Sequence, residues 1–328
     1  MGQVVVVFTG GTISMQVDAA KGGNVPTLDG AAILARTRGL DEIAHVWAID
    51  YGLVPASHFR FGQLFEIAGL LREALQDPAV EGAVVVQGTD TIEETSFFFD
   101  LVVAGDKPVV VTGAMRSASQ DGYDGPVNLR DAVRAAASPD LRGAGCLVVM
   151  TGAIHAADDV TKTHATSPTT FQSLNLGPLG EVTEGRLTIG RRRAGRRLVA
   201  EATRAAEPVP LITAVISMDA SILDAVVAAG ARGIVVEATG SGNTSPELLA
   251  GAQRAMETGI PVVEATRCPA GRVGTAYAFP GGGAQWARSG AIQAGYLTGP
   301  KARVALAVGL GAGLGMDALR DLFADPVV

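Results

Sequence analysis

The chain has 328 residues, 48% of them hydrophobic and 18% charged, with a net charge of −7. That length corresponds to about two domains, with ample material for cores and no sign of a disordered composition. The acidic balance argues against nucleic acid or an anionic membrane as the main partner, and no apolar stretch reaches the ~18 residues of a membrane-spanning helix.

Nothing at the amino terminus has the pattern of a signal peptide, so a cytoplasmic protein is expected. The two cysteines, Cys146 and Cys268, lie in or beside apolar runs without metal spacing and read as buried free thiols. Residues 4–8, VVVVF, are a continuous apolar strand ending in Thr9-Gly10-Gly11-Thr12, where two glycines allow positive φ and close approach of backbone to a ligand. Residues 15–28 are rich in Gly, Asp and Lys without helical period and read as a mobile loop of lid length. A helix over 29–37, a strand over 46–51, a turn at Pro55-Ala56-Ser57-His58 and a helix over 61–75 follow.

Residues 81–105 are the stretch around which the chain is organised. The run Ala83-Val84-Val85-Val86 has the length and β-branched content of a buried strand. It breaks at Gln87-Gly88-Thr89-Asp90-Thr91 and continues as a helix, with Thr91 and Glu94 at capping-box spacing and Gly105 as a stop. Strands over 108–112 and 145–151 flank a helix that begins near Pro126. The five arginines of residues 191–197 open a stretch that reads as a solvated linker rather than a nucleic-acid patch, since no aromatics interleave with them. Beyond it come strands over 211–216, 233–236 and 261–264, helices from Ser221 and Pro246, and a last helix near Asp317. Strands and helices alternate throughout. The expected fold class is therefore α/β, with a larger N-terminal domain (1–190) holding a mainly parallel sheet flanked by helices, a linker (191–210), and a smaller parallel α/β domain (211–328). The run GLGAGLG at 309–315 does not fit a dinucleotide fingerprint and reads as a packing element.

The polar residues that follow strands in the first domain include Thr9, Thr12, Ser57, His58, Thr89, Asp90, Arg116, Asp159 and Lys162. In a parallel sheet these loops share the carboxyl edge, where ligands bind. A threonine hydroxyl attacks an amide at neutral pH only when a base takes its proton. A lysine partly removed from water can be that base, directly or through a second hydroxyl. The four histidines are not at metal-ligand spacings, and no metal or organic cofactor is implied.

The segments VVVVFTGGTIS (4–14), QGTDTIEET (87–95), PVVVTGAMR (108–116), DGPVNL (124–129), DVTKT (159–163) and KARVAL (301–306) resemble the bacterial L-asparaginase family over nearly the whole chain. The resemblance implies cofactor-free hydrolysis of the small-molecule substrate L-asparagine through a threonine acyl-enzyme, with side activity on L-glutamine open. Carried over by motif, Thr12 is the nucleophile, and Thr89, Asp90 and Lys162 form a second cluster in which Lys162 assists deprotonation and Asp90 grips the substrate ammonium. It further implies Ser57 at the substrate carboxylate, His58 beside it, the Gly88–Thr89 turn at the oxyanion, the Ala114 carbonyl at the leaving amide, and a homodimer or homotetramer in which Asn243 completes a partner's site. Two departures stand out: the loop Lys21-Gly22-Gly23-Asn24-Val25-Pro26 has no tyrosine, and Gly281-Gly282-Gly283-Ala284 stands where relatives often carry an acidic residue. The alternative is a catalytically weak amino-acid sensor of the same fold.

Overall fold

A computed structural model describes residues 1–18 and 20–325. The chain divides into two compact units, Met1–Arg196 and Arg197–Val328.

The first unit runs β1 (Gln3–Phe8), the hairpin β2 (Met15–Asp18) and β3 (Gly23–Pro26), α1 (Gly30–Arg36), β4 (His45–Asp50), α2 (Phe61–Gln76), β5 (Val80–Val86), α3 (Ile92–Val102), β6 (Val109–Thr112), α4 (Gly125–Ala136) and β7 (Cys146–Met150). It ends in five short strands, β8 (Ala153–Ala156), β9 (Val160–Lys162), β10 (Phe171–Ser173), β11 (Gly180–Thr183) and β12 (Arg186–Ile189). Eight of these strands form one sheet in the order β12-β11-β8-β7-β6-β5-β1-β4. The segment from β4 to β7 is parallel throughout, and β8, β11 and β12 extend it antiparallel. The valines of β1, β5 and β6 are buried on both faces. The sheet is covered on both sides, which is why these strands read as unbroken apolar runs. Val4, Val6, Val84 and Val110 pack with Leu129, Ala132 and Val133 of α4.

Three expectations are corrected here. The alternation of strands and helices stops at β7, because strands as short as β8 to β12 carry too few residues to show a period. Within the stretch read as a loop, Met15–Asp18 and Gly23–Pro26 pair as an antiparallel hairpin, tied down where Ala118 N donates to Met15 O and Thr27 N and Leu28 N both donate to Ser14 O. Ala19 lies outside the described residues. The capping box at Thr91 is not made: α3 begins at Ile92 without a side-chain cap, and the Thr91 hydroxyl donates instead to Ala56 O at 3.2 Å.

The arginine-rich stretch also departs from its reading. Arg193 Nη1 and Nη2 donate to the two oxygens of Asp100 at 3.0 and 2.9 Å, Arg196 Nε donates to Oδ1 at 3.1 Å, and Cys146 N adds a fourth bond at 2.8 Å. Asp100 is wholly buried and the Arg193 side chain is only 5% exposed. Burial works against the guanidinium charge, but Asp100 and Asp158 outweigh it and raise the Arg193 pKa. The stretch is therefore a buried ionic clamp on α3 rather than a solvated linker, because a fully buried aspartate requires charged partners.

The second unit runs β13 (Leu211–Thr213), α5 (Ser221–Ala228), β14 (Ile234–Ala238), α6 (Pro246–Glu257), β15 (Val262–Thr266), α7 (Gly283–Arg288), β16 (Ile292–Gln293), α8 (Gly299–Gly311) and α9 (Met316–Phe323). Its four strands form a parallel sheet in chain order. The first half of the glycine run packs as expected, since a Cβ on Gly309 would stand 2.8 Å from Leu319 Cδ2, whereas Gly313 and Gly315 are exposed with open space around them. Cys146 is buried but Cys268 is exposed, so only one of the two thiols matches its reading. Among the described residues, no helix is long and apolar enough to cross a membrane.

Candidate active site

Chain order places β4 and β5 on opposite sides of β1. The crevice outside the carboxyl ends of β1 and β5 is therefore the topological switch point, the place where open parallel sheets bind ligands. Two threonine turns flank it. After β1 the chain turns through Gly10 (φ 104°) and Gly11 (φ 92°) into a 3-10 turn, Thr12–Ser14, closed by Ser14 Oγ on Gly11 O at 2.7 Å. After β5, Gly88 leads into a second 3-10 turn, Thr89–Thr91, which runs directly into α3.

The two turns touch through glycine. A Cβ on Gly11 would overlap the Gly88 amide nitrogen. The loop after β6 joins them, since a Cβ on Gly113 would stand 2.5 Å from Gln87 O and 3.3 Å from Thr89 Cγ2. Strand-end turns stacked this tightly admit no side chain between them, and Thr12, Thr89 and Ala114 come to adjoining positions.

Lys162 comes from outside the sheet. It ends β9, which pairs with β10 in a small hairpin. Its Nζ donates to Thr89 Oγ1 at 3.0 Å and to Asp90 Oδ1 at 2.9 Å. The lysine side chain is 14% exposed, whereas that of Asp90 is 71% exposed and free to meet a ligand as well as Lys162 Nζ. Thr89 is buried. Among the described residues, nothing hydrogen-bonds the Thr12 hydroxyl.

A polar scaffold behind these groups holds the loops in place. Thr95 Oγ1 donates to Gln87 Oε1 at 2.9 Å, and Gln87 Nε2 reaches Gly88 O at 3.2 Å. Asp124 accepts from Met115 N at 3.1 Å and Arg116 N at 2.9 Å. Asn128 donates to Gly113 O at 3.1 Å and accepts from Thr151 N at 2.9 Å. With Gly113 O and Met115 N so engaged, the buried Ala114 carbonyl between them has no partner among the described residues. Asp124 and Asn128 are functional residues that the sequence reading does not single out; their place inside the DGPVNL motif is the available signal.

Of the sequence candidates, Thr12, Gly88, Thr89, Asp90, Ala114 and Lys162 converge at this edge. Ser57 and His58 lie nearby in the turn before α2 and are exposed, with Ala56 Cβ 2.9 Å from the place a Cβ on Gly88 would take. Thr9 is structural, its hydroxyl donating to Val86 O at 3.0 Å. Asp159 is engaged elsewhere, by Asn175 and Leu176. Asn243 belongs to the second unit, where its backbone bridges Thr239 and its buried Oδ1 has no partner among the described residues.

Residues 3–194 match the family described as Asparaginase, N-terminal, and residues 208–323 match the Glutaminase/Asparaginase C-terminal domain. The chain is similar to an L-asparaginase of Bacillus licheniformis, 32% identical over 306 residues that cover 93% of this chain and 94% of that protein. It is 34% identical to a probable L-asparaginase of Deinococcus radiodurans over 340 residues, 99% of this chain and 98% of that one. A relative from Haemophilus influenzae, named a probable periplasmic L-asparaginase, is 35% identical over 240 residues, 72% of this chain and 67% of its own length.

Proposed function

The chain belongs to the asparaginase family, and we propose that it hydrolyses L-asparagine to L-aspartate and ammonia with Thr12 as the nucleophile. The observation that carries the reading is Lys162 bound to the Thr89 hydroxyl on the turn packed against that of Thr12. Lys162 takes a proton through Thr89 while Thr12 Oγ1 bonds to the side-chain amide carbon. The C–N bond then breaks, nitrogen leaves as ammonia with the proton, and water splits the resulting ester to release aspartate and restore the hydroxyl. A base so placed is worth roughly 10²–10⁴ in rate. Asp90, largely exposed, faces the substrate ammonium; Ser57 and His58 face its carboxylate. Backbone N–H groups of Gly88 and Thr89 serve the oxyanion, and the free Ala114 carbonyl holds the leaving amide.

Residues 1–190 act in this reading as the catalytic domain, joined through 191–210 to the second α/β domain, 211–328. A homodimer or a homotetramer built as a dimer of dimers belongs to the proposal, with Asn243 completing a partner's site; the exposed Ile216, Tyr277 and Phe279 of the second unit support it. Sedimentation tests the assembly. Cytoplasmic action is likewise proposed, and cell fractionation tests it. Activity on L-glutamine is a further part of the reading, because one extra methylene in a pocket discriminates by only ~1–3 kcal/mol.

Ammonia release from L-asparagine and L-glutamine by the wild type, Thr12→Ala and Lys162→Ala tests the assignment. Turnover of asparagine that both substitutions abolish is the expected result. Turnover surviving Thr12→Ala would move the nucleophile to Thr89, the hydroxyl that the lysine touches directly.

A further inference from the structure

Tyr123 precedes α4 by two residues, and its hydroxyl donates to the carbonyl of Ile13 at 2.6 Å, across 110 residues of sequence. Ile13 is wholly buried and follows Thr12 directly. A slot is built for this contact. A Cβ on Gly125 would stand 2.6 Å from Tyr123 Cε2, 2.7 Å from its Cζ and 2.7 Å from Ile13 Cγ1, so only glycine lets the ring and the isoleucine meet there. Burial pushes the phenol up to about 12, with Arg36 opposing and Asp124 adding to the shift. The group is therefore a proton donor to the Ile13 carbonyl at every pH at which the protein would work, and it is no base.

Within the Thr12 turn, Ser14 Oγ and Ser14 N both reach Gly11 O, and Met15 N reaches Thr12 O, bonds that set its shape. Its far end is held through Ser14 O, which accepts from Thr27 N and Leu28 N just after β3. The Tyr123 bond ties the turn to the segment whose Asp124 holds Met115 N and Arg116 N and whose Asn128 holds Gly113 O. One short segment thus positions both the Thr12 turn and the loop carrying Ala114.

We propose that Tyr123 is a positioning residue for Thr12, its hydroxyl fixing the turn that presents the nucleophile to the substrate. The proposal rests on the assignment of Thr12 made above. Without the hydroxyl, the buried Ile13 carbonyl is left unpaired and its peptide rotates to find another donor. Misplacement of a reacting group by about 1 Å costs up to ~100-fold in rate.

The test uses the full chain, comparing wild type, Tyr123→Phe and Thr12→Ala in kcat and KM for L-asparagine, in L-aspartate binding by calorimetry, and in Tm. Phenylalanine keeps the ring in its slot, so the fold is retained. The expected result is a kcat lowered by about tenfold or more in Tyr123→Phe, with KM and the number of aspartate sites per chain within about twofold of wild type. A kcat within about twofold of wild type beside an inactive Thr12→Ala overturns the positioning role alone. A fall in the number of binding sites to match the fall in kcat also overturns it, since the loss is then one of folded protein. Turnover surviving in Thr12→Ala overturns the nucleophile assignment and the positioning role together.

Discussion

Gly11 and Gly88 meet backbone to backbone at the carboxyl edge of the sheet, where a Cβ on Gly11 would overlap the Gly88 amide nitrogen and stand 2.6 Å from the Gln87 carbonyl carbon. The distance between the two threonine turns is set by the absence of a side chain, and Gly11 also holds a φ of 92° that L-residues rarely adopt. Gly11→Ala therefore forces the turns apart and adds backbone strain of roughly 1–3 kcal/mol. The expected outcome is a kcat/KM on asparagine reduced by about 100-fold or more, with a lower Tm. Wild-type kinetics in a well-folded Gly11→Ala protein would show that the turns need not touch.

The Arg193–Asp100 pair is expected to dominate the ionic contribution to stability. Arg193→Met leaves a wholly buried carboxylate short of its main partner, and breaking such a pair costs about 3–5 kcal/mol. Arg254→Met serves as the control: its bond to Asp224 joins side chains 54% and 52% exposed, and exposed pairs contribute at most about 1 kcal/mol. Urea denaturation of the two variants measures the contrast. Equal losses would mean that the arginine stretch is not a clamp.

Glu264 supplies a pH dependence of stability. Its side chain is wholly buried beside Gly242, and burial lifts its pKa from the usual 4.5 to about 8, with the neighbouring Gln293 side chain drawing it back in part. The unfolded chain releases this proton near 4.5 and the folded one near 8. The contribution of the neutral acid to stability is thus complete below the lower value and is lost as pH rises through the interval, at up to ~1.4 kcal/mol per pH unit. Glu264→Gln removes the titration. Calorimetric Tm of wild type should fall relative to Glu264→Gln between pH 5 and pH 8, and a Tm difference independent of pH would rule out a neutral Glu264.

Much of the site was legible because its parts are local. A strand followed by Gly10-Gly11-Thr12, and another followed by Gly88-Thr89-Asp90, are patterns read within a dozen residues, and both lie where the parallel sheet places them. The Thr91 capping box was misread because spacing shows only that Glu94 could reach back; it does not show that Ala56 O competes for the same hydroxyl. The hairpin over 15–26 was missed because two strands of four residues hold hardly one full alternation each.

What the sequence by itself determined is the longer parallel strands, their buried valines and the glycine turns, all of which follow from short-range periodicity and turn chemistry. Tertiary structure decided which side chains meet across the chain. Lys162 reaches Thr89 from 73 positions away, Arg193 reaches Asp100 from 93, and Tyr123 reaches Ile13 from 110. Each of these contacts depends on crossovers that bring distant strand ends together, and burial then makes the pairing of each polar group obligatory; no local pattern encodes either condition.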